Sequence, residues 1–219
     1  MSAVMDARTR LVATFRAMAD AGLNHGTSGN ASVRLVGEGT AFLVTPSGRP
    51  VETLAPEDLV AIRDGHADGA LEPSSEWRLH ADLYAAFPGA GAVLHAHSSF
   101  ATALACRRQD LPAFHYLLAL FGGTTVRCAD YATFGTQELS DAAVAAMDGR
   151  RACLLANHGM VVHGRDLAHA LLLAVQLETL CEQYWRACQL GEPVLLTDAE
   201  MAAAQAQFDR YARLTGNPG

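Results

Sequence analysis

The stretch AVLHAHSSF sets His95 and His97 one residue apart in an otherwise apolar run. On a strand, side chains alternate between faces, so the two imidazoles share one face, roughly 6–7 Å apart. Imidazoles at that spacing can both reach one metal ion lying about 2.0–2.1 Å from each nitrogen. A catalytic zinc site takes three protein ligands and keeps a position open. His158, in LLANHGMVV at the end of another apolar run and beside Gly159, is the candidate third ligand. Taken alone, the His-x-His pair is more simply read as core packing or as pairing with nearby carboxylates than as a metal site.

The segment LEPSSEW adds a carboxylate. Pro73 and two serines precede a helical pattern, so Ser74, Ser75 and the first free N–H groups of that helix form an anion site. Glu76 falls on one stripe with Leu79 and Leu83, which aims its carboxylate along the buried face. A glutamate at a helix start is also explained by the helix dipole alone. Beside a metal it would instead suit proton abstraction next to a carbonyl. Two glycine-bearing turns, GTSGNAS and TPSGRP, offer further donors: Asn30, Ser47 and Gly48 could join Ser74 and Ser75 around a phosphate. The other histidines read more plainly. His25, His66, His163 and His169 fall near turns and helix starts and are expected in solvent, while His80 and His115 suit a supporting shell or the edge of the core.

Those residues need a scaffold, and helical and extended patterns alternate along the chain. Leu11, Phe15 and Met18 mark an amphipathic helix over 5–21 that stops near Gly22. ASVRLV and AFLVTP, joined by GEGT, read as a hairpin, and LVAIRDGHADG as a strand running into a turn. Helices follow at SSEWRLHADLYAAF and TQELSDAAVAAMDG, with strands at GAVLHAH and TTVRCA. ACLLANHGMVVHG reads as two apolar runs joined at NHG; helices over about 167–190 and 199–214 close the chain. The expected fold is α/β: one three-layer α/β/α domain over residues 1–219 with a mixed, largely antiparallel central sheet and no separate linker.

Composition narrows the function classes. Half of the 219 residues are hydrophobic, which suits one substantial core. A net charge of −7, with no basic block, argues against a nucleic-acid partner. Asp6, Arg8 and Arg10 interrupt the start of the chain, against a signal peptide, and no apolar stretch is long enough for a membrane span. The five cysteines form no Cys-x-x-Cys pair and read as small buried reduced thiols, so a cytoplasmic location is expected.

Taken in order, GTSGNAS, TPSG, PSSEW, VLHAHS, HYLLALFGG, YATFGT and NHG resemble the class II aldolase/adducin family over most of the chain. Within it the likeness is greatest to members that cleave L-fuculose 1-phosphate. The resemblance implies one Zn2+ per chain on His95, His97 and His158, with Glu76 as acid/base and a further ligand when no substrate is bound. It implies phosphate binding by Asn30, Ser47, Gly48, Ser74 and Ser75, and proton donation by Tyr116 of the HY motif. Phe134 and, near the C-terminus, Tyr211 would line an aldehyde pocket. The implied reaction is zinc-dependent cleavage of a ketose 1-phosphate, L-fuculose 1-phosphate or a related deoxyketose phosphate, to dihydroxyacetone phosphate and an aldehyde. A homotetramer with sites between subunits is implied too. A zinc-dependent dehydratase of the methylthioribulose-1-phosphate type is the alternative on this scaffold. An L-ribulose-5-phosphate 4-epimerase would carry an acid in the stretch after the histidine pair, where 116–120 read Tyr-Leu-Leu-Ala-Leu. A non-catalytic adducin-like domain would lack the three histidines that this chain has.

Overall fold

Strand residues of alternating character must send their side chains to opposite faces. The fold uses that alternation to separate two apolar cores with one sheet. In a computed structural model, which describes residues 3–215, eight strands lie in the order β4-β3-β2-β1-β5-β8-β7-β6. They are β1 (Asn30–Arg34), β2 (Phe42–Val44), β3 (Val60–Arg63), β4 (His66–Asp68), β5 (Ala92–Ala96), β6 (Cys128–Ala129), β7 (Ala152–Leu155) and β8 (Gly159–Gly164). Neighbours are antiparallel except β6 and β7, so the sheet is mixed and largely antiparallel, as expected.

On one face Ala92, Leu94 and Ala96 of β5 pack with Met160 and Val162 of β8 against α1 (Ala3–Asp20), α3 (Ser99–Ala105) and α5 (Leu167–Leu190). On the other, Val93 and Val161 join Leu79 and Leu83 of α2 (Trp77–Ala86) and Leu139 and Ala143 of α4 (Gln137–Ala146). Each fully buried leucine or valine side chain stabilises this arrangement by about 1.5–3 kcal/mol relative to exposure. A sixth helix, α6 (Asp198–Thr215), packs on the short 3-10 helix Tyr116–Phe121. By parity His95 shares the face of Val93, so it points into the α2/α4 layer. β5 is central, pairing His95 with Asn30 of β1 and with Val161 of β8.

Several local expectations change. Helix α2 starts at Trp77, leaving Glu76 at the N-cap position with no side-chain capping bond. TTVRCA yields only the two-residue β6, with Val126 bridged to Leu111 instead. LVAIRDGHADG forms a whole hairpin, β3–β4. His163 is not in solvent: it sits on β8, stacks on Phe87 at 4.8 Å and faces the Arg150 carbonyl. Of the cysteines, Cys153 and Cys181 are buried as expected, while Cys106 and Cys188 are exposed. No helix among the described residues is long and apolar enough to cross a membrane.

Candidate active site

Four side chains converge where β5 and β8 meet the start of α2. The donor atoms of Glu76, His95, His97 and His158 all lie within 4.8 Å of one another. His95 Nε2 is 2.9 Å from His97 Nε2 and 3.1 Å from Glu76 Oε2, and His158 Nε2 is 3.4 Å from Glu76 Oε1. The three rings stand edge to face, with centroids 4.7–4.8 Å apart. That is closer than two residues along a strand would place them. His97 lies one residue past the end of β5, so its ring is free to turn inward. His158 arrives from the turn between β7 and β8, where Asn157 adopts a positive φ of 55°. A Cβ on Gly159 would lie 2.3 Å from the Ala96 carbonyl and 3.1 Å from the His97 ring. The glycine of NHG is thus what lets this turn close on the histidine pair.

The donor set fits a divalent cation. Three imidazoles and a carboxylate are a four-coordinate ligand set. Glu76 is 6% exposed, yet its Oε1 has no hydrogen-bond partner. A buried carboxylate oxygen left this way requires an explanation, and a cation beside it supplies one. His95 Nδ1–H donates to the Met160 carbonyl at 2.9 Å, which turns Nε2 toward the cluster. Electrostatics agree. Burial alone would favour the neutral Glu76, but His95 and His158 and the Asn30 hydrogen bond outweigh it and hold the carboxyl well below the usual range. Burial works against protonating His95, and Glu76 overrides it, raising its pKa. His97 and His158 are pushed down to about 4, chiefly by burial, so both are neutral donors at pH 7.

Glu76 is supported by a buried polar ladder. Glu76, His80 and Tyr84 recur every four residues along and just before α2, a step of about 6 Å. Asn30, Ser32 and Arg34 recur every two residues on one face of β1, a step of about 6.7 Å. The matched steps let the two rows interleave. Asn30 Nδ2 donates to Glu76 Oε2 at 3.0 Å, and its Oδ1 is 2.5 Å from His80 Nε2. Ser32 Oγ lies 2.7 Å from His80 Nδ1 and 2.8 Å from Tyr84 Oη. Arg34 spans 4.6 Å to the Tyr84 ring and donates to the Tyr84 carbonyl. His80 is fully buried, which pushes its pKa down to about 3.

The cluster opens onto a cleft of about 380 Å³, within the size range of small-ligand sites. It is lined by turn 27–30, turn 46–48 and Ser74–Ser75, by Tyr131, Ala132, Phe134 and Asn157, and by Glu76, His97 and His158 of the cluster. The two serine-bearing turns are tied together, because Ser47 N–H donates to the Glu72 carbonyl and Ser74 N–H to that of Thr45. Gly29, at φ +75°, sits so close to the His95 carbonyl that a Cβ would be 2.8 Å away. All five residues expected around a phosphate therefore line the cleft. Asn30 is buried, and one amide N–H is already committed to Glu76.

Tyr116 and Tyr211 are not brought to this cleft. They lie 52% and 66% exposed on the surface where the 3-10 helix 116–121 meets α6; Tyr116 stacks on His115 and Phe208. Phe134 does reach the cleft mouth. Sequence reasoning passed over Thr27, Tyr131 and Asn157, although GTSGNAS, YATFGT and NHG contain them. It also missed Glu178. This α5 carboxylate accepts from the Ser98 hydroxyl at 2.6 Å and from the N–H groups of Phe100 and Ala101 at 2.8 and 2.9 Å. Ser98 holds the N-cap position of α3 but makes no side-chain cap of its own. The cap comes from Glu178, and α3 begins two residues after His97.

Comparison with known proteins gives a consistent result. Residues 9–185 match the family described as Class II Aldolase and Adducin N-terminal domain. A 5-methylthioribulose-1-phosphate/5-deoxyribulose-1-phosphate aldolase of Rhodospirillum rubrum is 49% identical over 205 residues, covering 93% of this chain and 91% of its own. An L-fuculose phosphate aldolase of Escherichia coli K12 is 40% identical over 206 residues, covering 92% and 94%. The solved structure of an L-fuculose 1-phosphate aldolase superposes with a TM-score of 0.90 at 38% identity, over 95% of this chain and 98% of that one.

Proposed function

We propose, from the premise that this chain belongs to the class II aldolase and adducin family, that it is a metal-dependent aldolase cleaving a deoxyketose 1-phosphate. The products would be dihydroxyacetone phosphate and a short aldehyde. The observation that carries this reading is the Glu76–His95–His97–His158 cluster at a cleft lined by serine- and glycine-bearing turns. A second supports it: the sequence contains no lysine, so the Schiff-base route to the same bond cleavage is closed to this chain. Relatives acting on 5-deoxyribulose, methylthioribulose and fuculose phosphates share this frame. The exposed rings of Tyr131 and Phe134 at the mouth suit an aldehyde with a small apolar end.

His95, His97 and His158, joined by Glu76 while no substrate is bound, would hold one Zn2+, which when bound supplies electrostatic pull on the carbonyl and adjacent hydroxyl oxygens of the substrate. The remaining work falls to the chain. The hydroxyls of Ser47, Ser74 and Ser75, the Gly48 N–H and the Asn30 amide grip the phosphate, so binding energy remote from the reacting carbon orients it. Glu76 exchanges the proton at the carbon that becomes the hydroxymethyl end of dihydroxyacetone phosphate. Tyr116 and Tyr211, remote from their own cleft and exposed, would serve the cleft of a neighbouring copy in a homotetramer, with Tyr116 giving a proton to the aldehyde oxygen. The enzyme would act in the cytoplasm.

The test is a cleavage assay on metal-replete protein with L-fuculose 1-phosphate, 5-deoxyribulose 1-phosphate and methylthioribulose 1-phosphate, scoring dihydroxyacetone phosphate. Release from at least one, lost on chelation and restored by Zn2+, is the expected result. Water loss with no dihydroxyacetone phosphate would instead identify a dehydratase, and turnover by metal-free protein would refute the metal mechanism. Glu76→Gln should retain metal and lose turnover by orders of magnitude.

A further inference from the structure

The buried ladder carries more information than support for a rotamer, because its donors and acceptors can be assigned from one end. At the Glu76 end Asn30 Nδ2, an amide NH2 that can only donate, gives a hydrogen bond to Glu76 Oε2 at 3.0 Å. Asn30 Oδ1 then faces His80, and since a carbonyl oxygen only accepts, His80 Nε2 carries the proton. A neutral imidazole holds a single ring proton, so His80 Nδ1 is an acceptor and the Ser32 hydroxyl donates to it. Ser32 Oγ, its own proton spent, accepts from Tyr84 Oη. The far end is anchored, with Arg34 over the Tyr84 ring and bonded to the carbonyls of Tyr84 and Ala90. Tyr84, Ser32, His80, Asn30 and Glu76 are all between 0% and 6% exposed, so water does not reset any link.

A chain of one polarity treats the two oxygens of Glu76 differently. Oε2 faces a committed donor, and a proton placed there would oppose the Asn30 N–H. Oε1 has no hydrogen-bond partner and lies on the side of the metal ligands, 3.4 Å from His158 Nε2, so it is the oxygen released when substrate displaces Glu76 from the metal. We propose that the Tyr84–Ser32–His80–Asn30 chain is a positioning device that holds Oε2 as a permanent acceptor and thereby makes Oε1 the oxygen that takes and returns the substrate proton. In that step the C–H bond of dihydroxyacetone phosphate breaks, its electron pair stays on carbon, and an O–H bond forms at Oε1. The return step reverses each change. The proposal rests on the reading of Glu76 as the acid/base. It assigns Ser32, His80 and Tyr84, which touch no substrate, a role in the proton step.

The test uses the zinc-loaded enzyme labelled with 15N-histidine, together with proton exchange into dihydroxyacetone phosphate in D2O followed by 1H NMR. The wild-type His80 ring should show the Nε2–H tautomer; an Nδ1–H ring would reverse the ladder and overturn the proposal. Ser32→Ala and Tyr84→Phe should each retain one zinc per chain and bind dihydroxyacetone phosphate within twofold of wild type. Each should slow exchange by roughly five- to tenfold, the scale of one lost buried hydrogen bond expressed at the reacting group. Tyr84→Phe keeps the ring and its packing, so it stands as the measurement if Ser32→Ala fails to fold. Exchange at the wild-type rate in a folded, zinc-loaded variant overturns the proposal. So does a slowing matched by equal losses of zinc and of phosphate binding, which would mark a purely structural role. Glu76→Gln separates the two readings. If it exchanges normally the acid/base assignment itself fails; if it is inert while Tyr84→Phe is unaffected, only the ladder's role fails.

Discussion

Replacing Glu178 by glutamine tests whether the metal ligands are held by the scaffold around them. The Glu178 carboxylate accepts two bonds at Oε2, from Ser98 Oγ and Ala101 N–H, and one at Oε1, from Phe100 N–H. A glutamine oriented to keep its oxygen at the Oε2 position preserves two of these as neutral bonds. It turns an NH2 onto the third donor. One hydrogen bond to a charged group is worth about 1.5–3 kcal/mol, and a charge at a helix N-terminus about 0.3–1 kcal/mol more. The combined cost is roughly 2–4 kcal/mol, which in a chain of this length lowers the melting temperature by roughly 5–12 °C. The functional consequence is distinct. Because α3 begins two residues after His97, a looser helix start blurs the position of one ligand, and outer support of this kind typically sets metal affinity within about 10–100-fold. The assay is zinc competition against a chromophoric chelator, run beside a thermal scan of the metal-free protein. A lowered melting temperature with zinc affinity unchanged within twofold would refute the link from Glu178 through α3 to His97.

Three more outcomes are expected. Gly159→Ala would press a methyl onto the Ala96 carbonyl and the His97 ring, so purified protein should hold far less than one zinc per chain by elemental analysis. Ser75→Ala should raise KM for the phosphorylated ketose about tenfold with kcat nearly unchanged, since one hydrogen bond to a dianion is worth about 1.4 kcal/mol or more; an unchanged KM would move the phosphate elsewhere. The third concerns acid. Folded His80 has its pKa near 3 while an unfolded histidine titrates near 6.5, so between those values the unfolded chain binds more protons. Stability therefore falls as the pH drops below 6.5, by about 1.4 kcal/mol per pH unit from this group, until about pH 3. Urea unfolding of metal-free protein at pH 7, 6 and 5 should show this loss, and His80→Gln should remove that share of the slope.

What could be read from the sequence follows from how local each signal is. The short apolar run of β5 and the i, i+4, i+7 pattern of α1 report their own elements, and both appear where expected. The three histidines were recoverable because two fall at and just past the end of one apolar strand and the third lies in the turn that follows another. The Tyr116 and Tyr211 assignments rested on resemblance alone, and the chain folds those tyrosines onto its outer surface, away from the cleft residues. Glu178 reads as a charge interrupting an apolar helix, and nothing near it in sequence says that it caps a helix eighty residues earlier.

The ladder shows a subtler limit. Glu76, Leu79 and Leu83 read as one helical stripe because apolar periodicity is the stronger signal, and both leucines are indeed buried. The polar stripe Glu76–His80–Tyr84 lies beside it on the same helix, and Asn30, Ser32 and Arg34 alternate on β1. Neither row means much alone, since a buried polar group is a cost until it is paired. Their worth comes from a coincidence of geometry: four residues of helix advance about 6 Å and two residues of strand about 6.7 Å. Two polar rows with those periods can therefore satisfy each other for three steps before drifting out of register. A run of E-x3-H-x3-Y facing N-x-S-x-R is thus a legible signature of a helix lying along a strand, in the same direction, with a buried carboxylate at the open end. It becomes readable only when both segments are considered together, and in this chain that open end is where the metal ligands gather.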